Sequence, residues 1–276
     1  MKVITDNRRL IIINVLFDII KIEGENMLID THLHLDNDEQ AQKKIEEAYI
    51  NNVKMLIISG CDKQGIMDAL EIIKNNENVY ATLGFHPSEA ENISDDDIKW
   101  LENIVISTSK IIGIGEIGLD YYYGKSNKEK QIDLFNKQLL LAEKLNLPIV
   151  VHSREAFQDT YDLLKKYQLK GIIHCFSGNI ETANLYIKMG YCLGIGGVLT
   201  FKNSKLPDVV KKIPMTNIVL ETDSPYLTPA PYRGMENSPK FIPIIVEKVS
   251  EIKEISTKEV EKITCDNVFR IFDLKI

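Results

Sequence analysis

At 276 residues, with 44% hydrophobic and 26% charged side chains, the chain is long for one sandwich and ordinary for a single barrel of eight βα units with a full core. Its formal charge of −7 excludes a surface coated in positive charge for long nucleic-acid tracts, yet leaves room for an enzyme that holds phosphate through bound cations and a few local Lys or Arg. Cys61, Cys175, Cys192 and Cys265 lie far apart, with no C-x-x-C pair or secretory framework, and no stretch reaches the roughly 18 apolar residues of a membrane span. Reduced thiols and a cytoplasmic location are the expectation.

In chain order, Arg8-Arg9 and the apolar run 10–17 loosely mimic a signal peptide, but Asp18, Lys21, Glu23 and Glu25 follow at once and no small-residue cleavage pattern appears. Residues 1–26 are set apart as an N-terminal extension of open status, with Met27 a candidate initiator and 27–276 the folded unit. From Met27 on, short β-branched runs alternate with longer charged stretches, the signal of repeated βα units on a parallel sheet. Eight strands are predicted, at 28–33, 54–59, 79–84, 111–116, 148–152, 171–175, 191–195 and 217–221. Helices are predicted at 38–52, 63–75, 95–106, 128–146, 154–167, 179–189, 239–254 and 257–272. Ser94 before Asp95-Asp96-Asp97 reads as an N-cap with acidic residues in the first turn, and Trp100, at helical spacing from Ile104, as core. The long connections follow Glu116 and Asp223, where 121–124 and 225–239 lie. The predicted fold is α/β, a (β/α)₈ TIM-like barrel, whose strand C-termini gather on one face.

Six ligand-type side chains stand at the ends of these strands: His32 and His34, Glu116, His152, His174 and Asp223. Histidine and carboxylate are the ligands of divalent metals. His32 and His34, two apart on an extended strand, point to the same side. Six side chains are too many for one tetrahedral ion, whereas two ions about 3.5–4 Å apart sharing a carboxylate use them all. The expected partition puts His32, His34, Glu116 and Asp223 on one ion and Glu116, His152 and His174 on the other. Mixed imidazole and carboxylate donors suit Zn²⁺, Mn²⁺ or Co²⁺, and phosphoryl chemistry favours Mg²⁺ or Mn²⁺. Cys175, next to His174, is expected to point to the opposite side, into packing.

Weaker signals surround this set. Gly113-Ile-Gly115-Glu-Ile-Gly118 matches the G-x-G-x-x-G dinucleotide fingerprint after a strand, but Glu116 would face a pyrophosphate and no helix follows, so the glycines are read as close backbone approach. Gly194-Ile-Gly196-Gly197 fits a phosphate-binding nest or a tight turn equally well. His86, before Pro87 at the third strand's end, is expected to touch substrate. Arg154 is expected as a bidentate phosphate clamp, with an ion pair to Glu155 or Asp159 as the alternative. Arg233 and Lys202 have lesser claims. Tyr121 heads a run of three tyrosines that offers stacking faces for a base, at least one of them packing instead.

The order of motifs carries a resemblance. His32-Leu-His34 with Leu35-Asp36, Gly84-Phe-His86-Pro87, Gly115-Glu116-Ile-Gly118-Leu-Asp120-Tyr121, His152-Ser153-Arg154, His174-Cys-Phe-Ser-Gly178 and Glu221-Thr-Asp223-Ser-Pro225-Tyr226 occur in series. That series closely resembles the TatD-type deoxyribonucleases, a branch of the amidohydrolase superfamily, over about 27–276. The resemblance implies a TIM-like barrel, divalent metals and hydrolysis of DNA phosphodiesters, often as a 3′→5′ exonuclease. Other amidohydrolases commonly bridge their metals with a carboxylated lysine on the fourth strand; Glu116 stands there here. Arg233-Gly-Met-Glu-Asn-Ser-Pro239 departs from the commoner Arg-Gly-Lys…Asn-Glu-Pro wording, which removes one lysine from the loop.

The chemistry expected is attack on phosphorus by metal-activated water, with Asp223 as general base, Glu116 as the shared carboxylate, and DNA, single-stranded or at a 3′ end, as partner. The same site serves a second reading, hydrolysis of an ester or amide such as a D-aminoacyl-tRNA, because the fold does not choose between them. A non-catalytic nucleic-acid-binding protein is the third reading, disfavoured because no ligand position is lost.

Overall fold

A computed structural model describes residues 27–274; the extension 1–26 set apart above lies outside the described residues. Eight strands pair in chain order, each parallel to the next: β1 (Leu28–Leu33), β2 (Val53–Gly60), β3 (Val79–Leu83), β4 (Ile111–Asp120), β5 (Ile149–Arg154), β6 (Gly171–Ile173), β7 (Cys192–Ile195) and β8 (Ile218–Leu220). Helices α1 (Ala41–Ile50), α2 (Lys63–Asn75), α3 (Asp95–Ser107), α4 (Lys128–Leu145), α5 (Phe157–Leu164), α6 (Ile180–Lys188) and α7 (Leu206–Lys212) make the crossovers, and α8 (Ile242–Lys253) and α9 (Thr257–Phe272) follow the last strand. The predicted TIM-like barrel is the observed architecture.

One crossover helix, α7, was not among those predicted. It is two turns long and has a proline in its first turn, where the missing N–H costs nothing. A short pattern carrying Pro207 reads as loop. Ser94, by contrast, caps α3 as expected: its hydroxyl accepts the Asp97 N–H while the Asp97 carboxylate takes the Ser94 N–H, a reciprocal capping box.

The barrel interior is layered. Ile29, Ile57, Tyr80, Ile112, Val150, Ile172, Cys192 and Val219, from the eight strands, share one apolar cluster with Val268, Phe269 and Phe272 of α9, which plug the bottom. Two residues further along β5, and just past the ends of β6 and β8, the period-two register brings His152, His174 and Glu221 to the same side. The strands therefore change from apolar to polar as they climb to the C-terminal face.

Two local devices shape that face. In β4 the register against β5 shifts between Ile114 and Ile117, and the strand runs on to Asp120, so Glu116 sits within a strand rather than at its predicted end. The glycines allow it. A Cβ on Gly115 would lie 2.6 Å from Cβ of Val150, and one on Gly118, at φ +149°, would lie 1.9 Å from the His152 carbonyl oxygen. The backbone of β4 thus presses against β5, which accounts for the decoy fingerprint.

The second device is the seam between β8 and β1. His34 N–H donates to the Ser224 carbonyl (2.8 Å) and Asp223 N–H to the His32 carbonyl (2.9 Å). Asp30 binds the rest: its wholly buried carboxylate accepts from the Thr222 N–H at 2.9 Å, the Thr222 hydroxyl at 2.5 Å and the His32 N–H at 3.3 Å. Burial pushes Asp30 up to about 8, against the pull of those hydrogen bonds. One carboxyl thus fixes the backbone beside His32 on one strand and Asp223 on the other.

Candidate metal centre

The six predicted donors converge at the mouth of the barrel. His32 Nε2 lies 3.3 Å from His34 Nε2, 3.4 Å from Glu116 Oε2 and 3.7 Å from Asp223 Oδ1. His34 Nε2 lies 3.7 Å from Glu116 Oε2 and 3.6 Å from Asp223 Oδ1. A tetrahedral ion with bonds of about 2.0–2.1 Å has edges of about 3.3–3.4 Å. His32, His34 and Glu116 form a donor group close to that size, and Asp223 lies within 3.7 Å of both histidines and also groups with His32 and His174.

The other oxygen of Glu116 belongs to a second group. Glu116 Oε1 lies 2.6 Å from His152 Nδ1 and 2.9 Å from His174 Nε2, and those two nitrogens are 3.3 Å apart. The contacts of Oε1 are of hydrogen-bond length, closer than a tetrahedral edge. One carboxylate therefore faces two histidine sets, one through each oxygen. His86 joins the second group, its ring centroid 4.5 Å from that of His152.

Charge and burial suit cations. Burial alone would push the Glu116 carboxyl up, but His174, His152 and His32 hold it well below the usual carboxylate range. Burial likewise opposes ionisation of Asp223, and the His34 hydrogen bond and the His174 charge outweigh it. His86 is pushed down to about 4, chiefly by burial, so its ring is neutral at neutral pH. The Ser88 N–H donates to its Nδ1 at 3.1 Å, so the ring proton resides on Nε2, which is thereby a donor.

Three carboxylates that sequence reasoning left without a role complete the site. Asp120 Oδ2 is 3.2 Å from His152 Nε2, a contact that orients the ring so that Nδ1 faces Glu116. Its Oδ1 accepts the Tyr122 N–H at 2.8 Å. Glu221, wholly buried, takes the Cys175 N–H on Oε1 and lies 3.6 Å from His174 Nδ1. Asp30 holds the seam. Each had a signal in the sequence: Asp30 and Glu221 stand two residues before a ligand, and Asp120 two beyond the Gly118 that presses against His152.

The remaining expectations fare differently. Arg154 is exposed and makes no ion pair with Glu155 or Asp159; its guanidinium lies 3.6 Å from the Tyr122 ring centroid, and Asp159 pairs with Lys128 at 2.6 Å. Tyr121, expected to face substrate, is buried instead, with its hydroxyl donating to Asp159 at 2.8 Å; the open aromatic faces belong to Tyr122 and Tyr123. Arg233 is exposed, with Nη1 donating to the Thr228 carbonyl at 3.0 Å and the guanidinium 4.0 Å from the Phe201 ring.

The glycines after β7 are packing devices. A Cβ on Gly194 would meet the Glu221 carboxylate at 2.1 Å, and one on Gly197 the Leu227 carbonyl at 2.0 Å. Of the nest and the tight turn left open for this stretch, the structure shows a turn, a short 3-10 segment at Gly197–Thr200, with close packing around the glycines. Cys175 stands outside the donor groups found among the described residues, though not through strand alternation: β6 stops at Ile173 and Cys175 turns left-handed, at φ 46°.

A family profile described as TatD related DNase matches residues 29–273. The chain belongs to the TatD-related DNase family. YabD of Bacillus subtilis (strain 168), named as a metal-dependent hydrolase, is 39% identical over 253 residues, covering 89% of this TatD-family chain and 99% of YabD. YcfH of Escherichia coli (strain K12), named likewise, is 30% identical over 258 residues, with 90% and 96% covered. The crystal structure of YjjV, a TatD homologue from Escherichia coli K12, superposes with a TM-score of 0.85 at 28% identity, covering 90% of this chain and 98% of YjjV. Organophosphorus hydrolase from Deinococcus radiodurans, with a TM-score of 0.61 at 11% identity, shares the fold alone. This TatD-family chain is thus a metal-dependent hydrolase with clustered His, Glu and Asp donors at its strand ends.

The role of Asp120 is directly testable. Asp120→Asn keeps an acceptor for Tyr122 but weakens the hold on His152. Metal affinity read by calorimetric titration is expected to fall about 10–100-fold, the usual cost of losing such a partner. Unchanged affinity would remove Asp120 from the site.

Proposed function

We propose that the protein hydrolyses DNA phosphodiester bonds with two divalent ions, Mg²⁺ or Mn²⁺ in the cell and Zn²⁺ as a competent substitute, working from a 3′ end. The observation that carries the reading is the split of Glu116, with Oε2 among His32, His34 and Asp223 and Oε1 between His152 and His174. His32, His34, Glu116 and Asp223 would hold one ion, and Glu116, His152 and His174 the other. When bound, such ions polarise phosphate oxygens and acidify water toward neutral pH.

The chain's own residues supply the rest. Asp223 is ionised and its side chain is 14% exposed, against 4% for Glu116, so it is the carboxylate that meets entering water and takes its proton. His86 donates from Nε2 to a phosphate oxygen as a neutral group. Arg154, exposed and in no ion pair among the described residues, offers its five N–H donors to a neighbouring phosphate. A cytoplasmic setting fits the free thiols. No helix among the described residues is long and apolar enough to cross a membrane.

The test is product analysis on short DNA and RNA oligonucleotides labelled at either end, with each metal in turn and with chelator. Metal-dependent release of mononucleotides from the 3′ end of DNA, abolished by chelator, is the expected result. Turnover of a D-aminoacyl-tRNA with inert oligonucleotides would replace the nuclease with an esterase.

A further inference from the structure

The sequence in β1–β8 order places two exposed aromatic platforms across the barrel mouth from each other. One is Tyr226, 62% exposed, whose ring lies 6.3 Å from that of His34 and meets it edge-on. It stands at the β8–β1 seam. The other is Tyr122, 51% exposed, which follows β4 and carries the Arg154 guanidinium of β5 on its face. In a ring of eight strands, β4–β5 and β8–β1 are four strands apart, on opposite sides of the donors.

Both platforms are fixed by residues that also serve the metal donors. Tyr226 rides on a loop that Asn237 pins: its buried amide donates to the Thr222 carbonyl at 2.8 Å and the Tyr226 carbonyl at 2.5 Å. Tyr226 N–H in turn donates to the Asp223 carbonyl at 2.9 Å. Tyr122 N–H is held by Asp120, whose other oxygen orients His152. Both tyrosines nonetheless remain more than half exposed to water. With their backbones anchored on either side of the donors, they offer faces to something that crosses the mouth.

We infer that Tyr226 and the Tyr122–Arg154 pair are base-stacking subsites on the two sides of the scissile phosphate, so that the substrate is an unpaired strand with a nucleotide on each. The inference rests on the phosphodiester reading above and goes beyond it by naming the residues that select single strands. Aromatic faces hold any base, so sequence preference is slight. Arg154, stacked on Tyr122 and in no ion pair among the described residues, reaches the phosphate next to the base on Tyr122. In a duplex each base is already stacked and paired, and neither platform is reached.

The test uses a single-stranded DNA oligonucleotide carrying 2-aminopurine at either of its last two positions, with phosphorothioate linkages to slow cleavage, and Mg²⁺ present. Quenching of the fluorophore reports stacking without turnover. Tyr226→Leu and Tyr122→Leu are each expected to weaken binding between about 5-fold and about 150-fold and to lose quenching at one position, while Tyr226→Phe and Tyr122→Phe retain both. An abasic residue at the matching position costs the wild type the same factor, and combining it with the Leu variant costs no more than either change alone. Equal weakening with and without the base, or full quenching in the Leu variants, overturns the inference. Quenching that depends on these tyrosines without cleavage under any metal supports the subsites and sinks the phosphodiesterase reading. Cleavage indifferent to the bases does the reverse.

Discussion

Glu116→Gln is expected to reduce kcat by about 10²–10³-fold, the scale for losing one preorganised electrostatic group. It is also expected to lower the bound metal, read by elemental analysis, from the two ions per chain proposed above to one or none. The side chain is 4% exposed and glutamine has the same shape, so the fold has no steric reason to change. Charge and symmetry are what is lost. A carboxylate presents the same oxygen on both sides, toward His32 and His34 through Oε2 and toward His152 and His174 through Oε1. An amide presents oxygen to one group and a hydrogen-bond donor to the other. Thermal stability provides a second readout. A ligand at 100 times its Kd stabilises the native state by about 2.7 kcal/mol, so the metal-dependent rise in Tm should be smaller in the variant, or absent if no ion is held. Two ions bound to Glu116→Gln with normal turnover would show that the two histidine groups do not share this residue.

The site was legible because its residues obey strand rules. His32 and His34 are two apart on β1, His152 continues the inward register of Val150, and His174 that of Ile172. Periodicity carries such residues to one face wherever the strands pair in order, which eight alternating βα units dictate. What escaped is what depends on departures from those rules. Glu116 looked like a strand end because glycines on either side, at 115 and 118, break the pattern; in space those glycines let β4 press on β5 and continue to Asp120. The spacing of Asp30, Asp120 and Glu221 marked them only weakly, because a carboxylate that supports a metal donor is indistinguishable by type from a solvated one. Only burial and distance separate them. Among the tyrosines of the loop after β4, the partition between core and surface follows from the Asp159 hydroxyl contact of Tyr121, a pairing 38 residues apart that no local pattern encodes.

Asp223→Asn separates metal binding from proton transfer. Asp223 sits at φ 56°, a left-handed conformation that Asp and Asn tolerate better than other side chains, and its N–H donates to the His32 carbonyl at 2.9 Å, so asparagine keeps the backbone in place. Its Oδ1 stays near His32 and His34, which preserves a neutral oxygen donor where an anionic one stood. The expected result is a kcat lowered about 10²–10⁴-fold, the usual contribution of a positioned base, with both ions retained at reduced affinity. The pH profile supplies the sharper readout. Burial works against ionisation of Asp223, but the His34 hydrogen bond and the charges of His174 and His32 hold its carboxyl below the ordinary 3.8, and bound cations act in the same direction. As a base it works only when ionised, so the wild-type rate falls on the acid side as pH drops through that depressed value. The asparagine variant has no such group and loses that limb, leaving a low rate that follows metal occupancy alone. A variant with both ions bound and the wild-type kcat and acid limb would move the proton from Asp223 to another acceptor, and Glu116, already committed through both oxygens, is the poorer substitute.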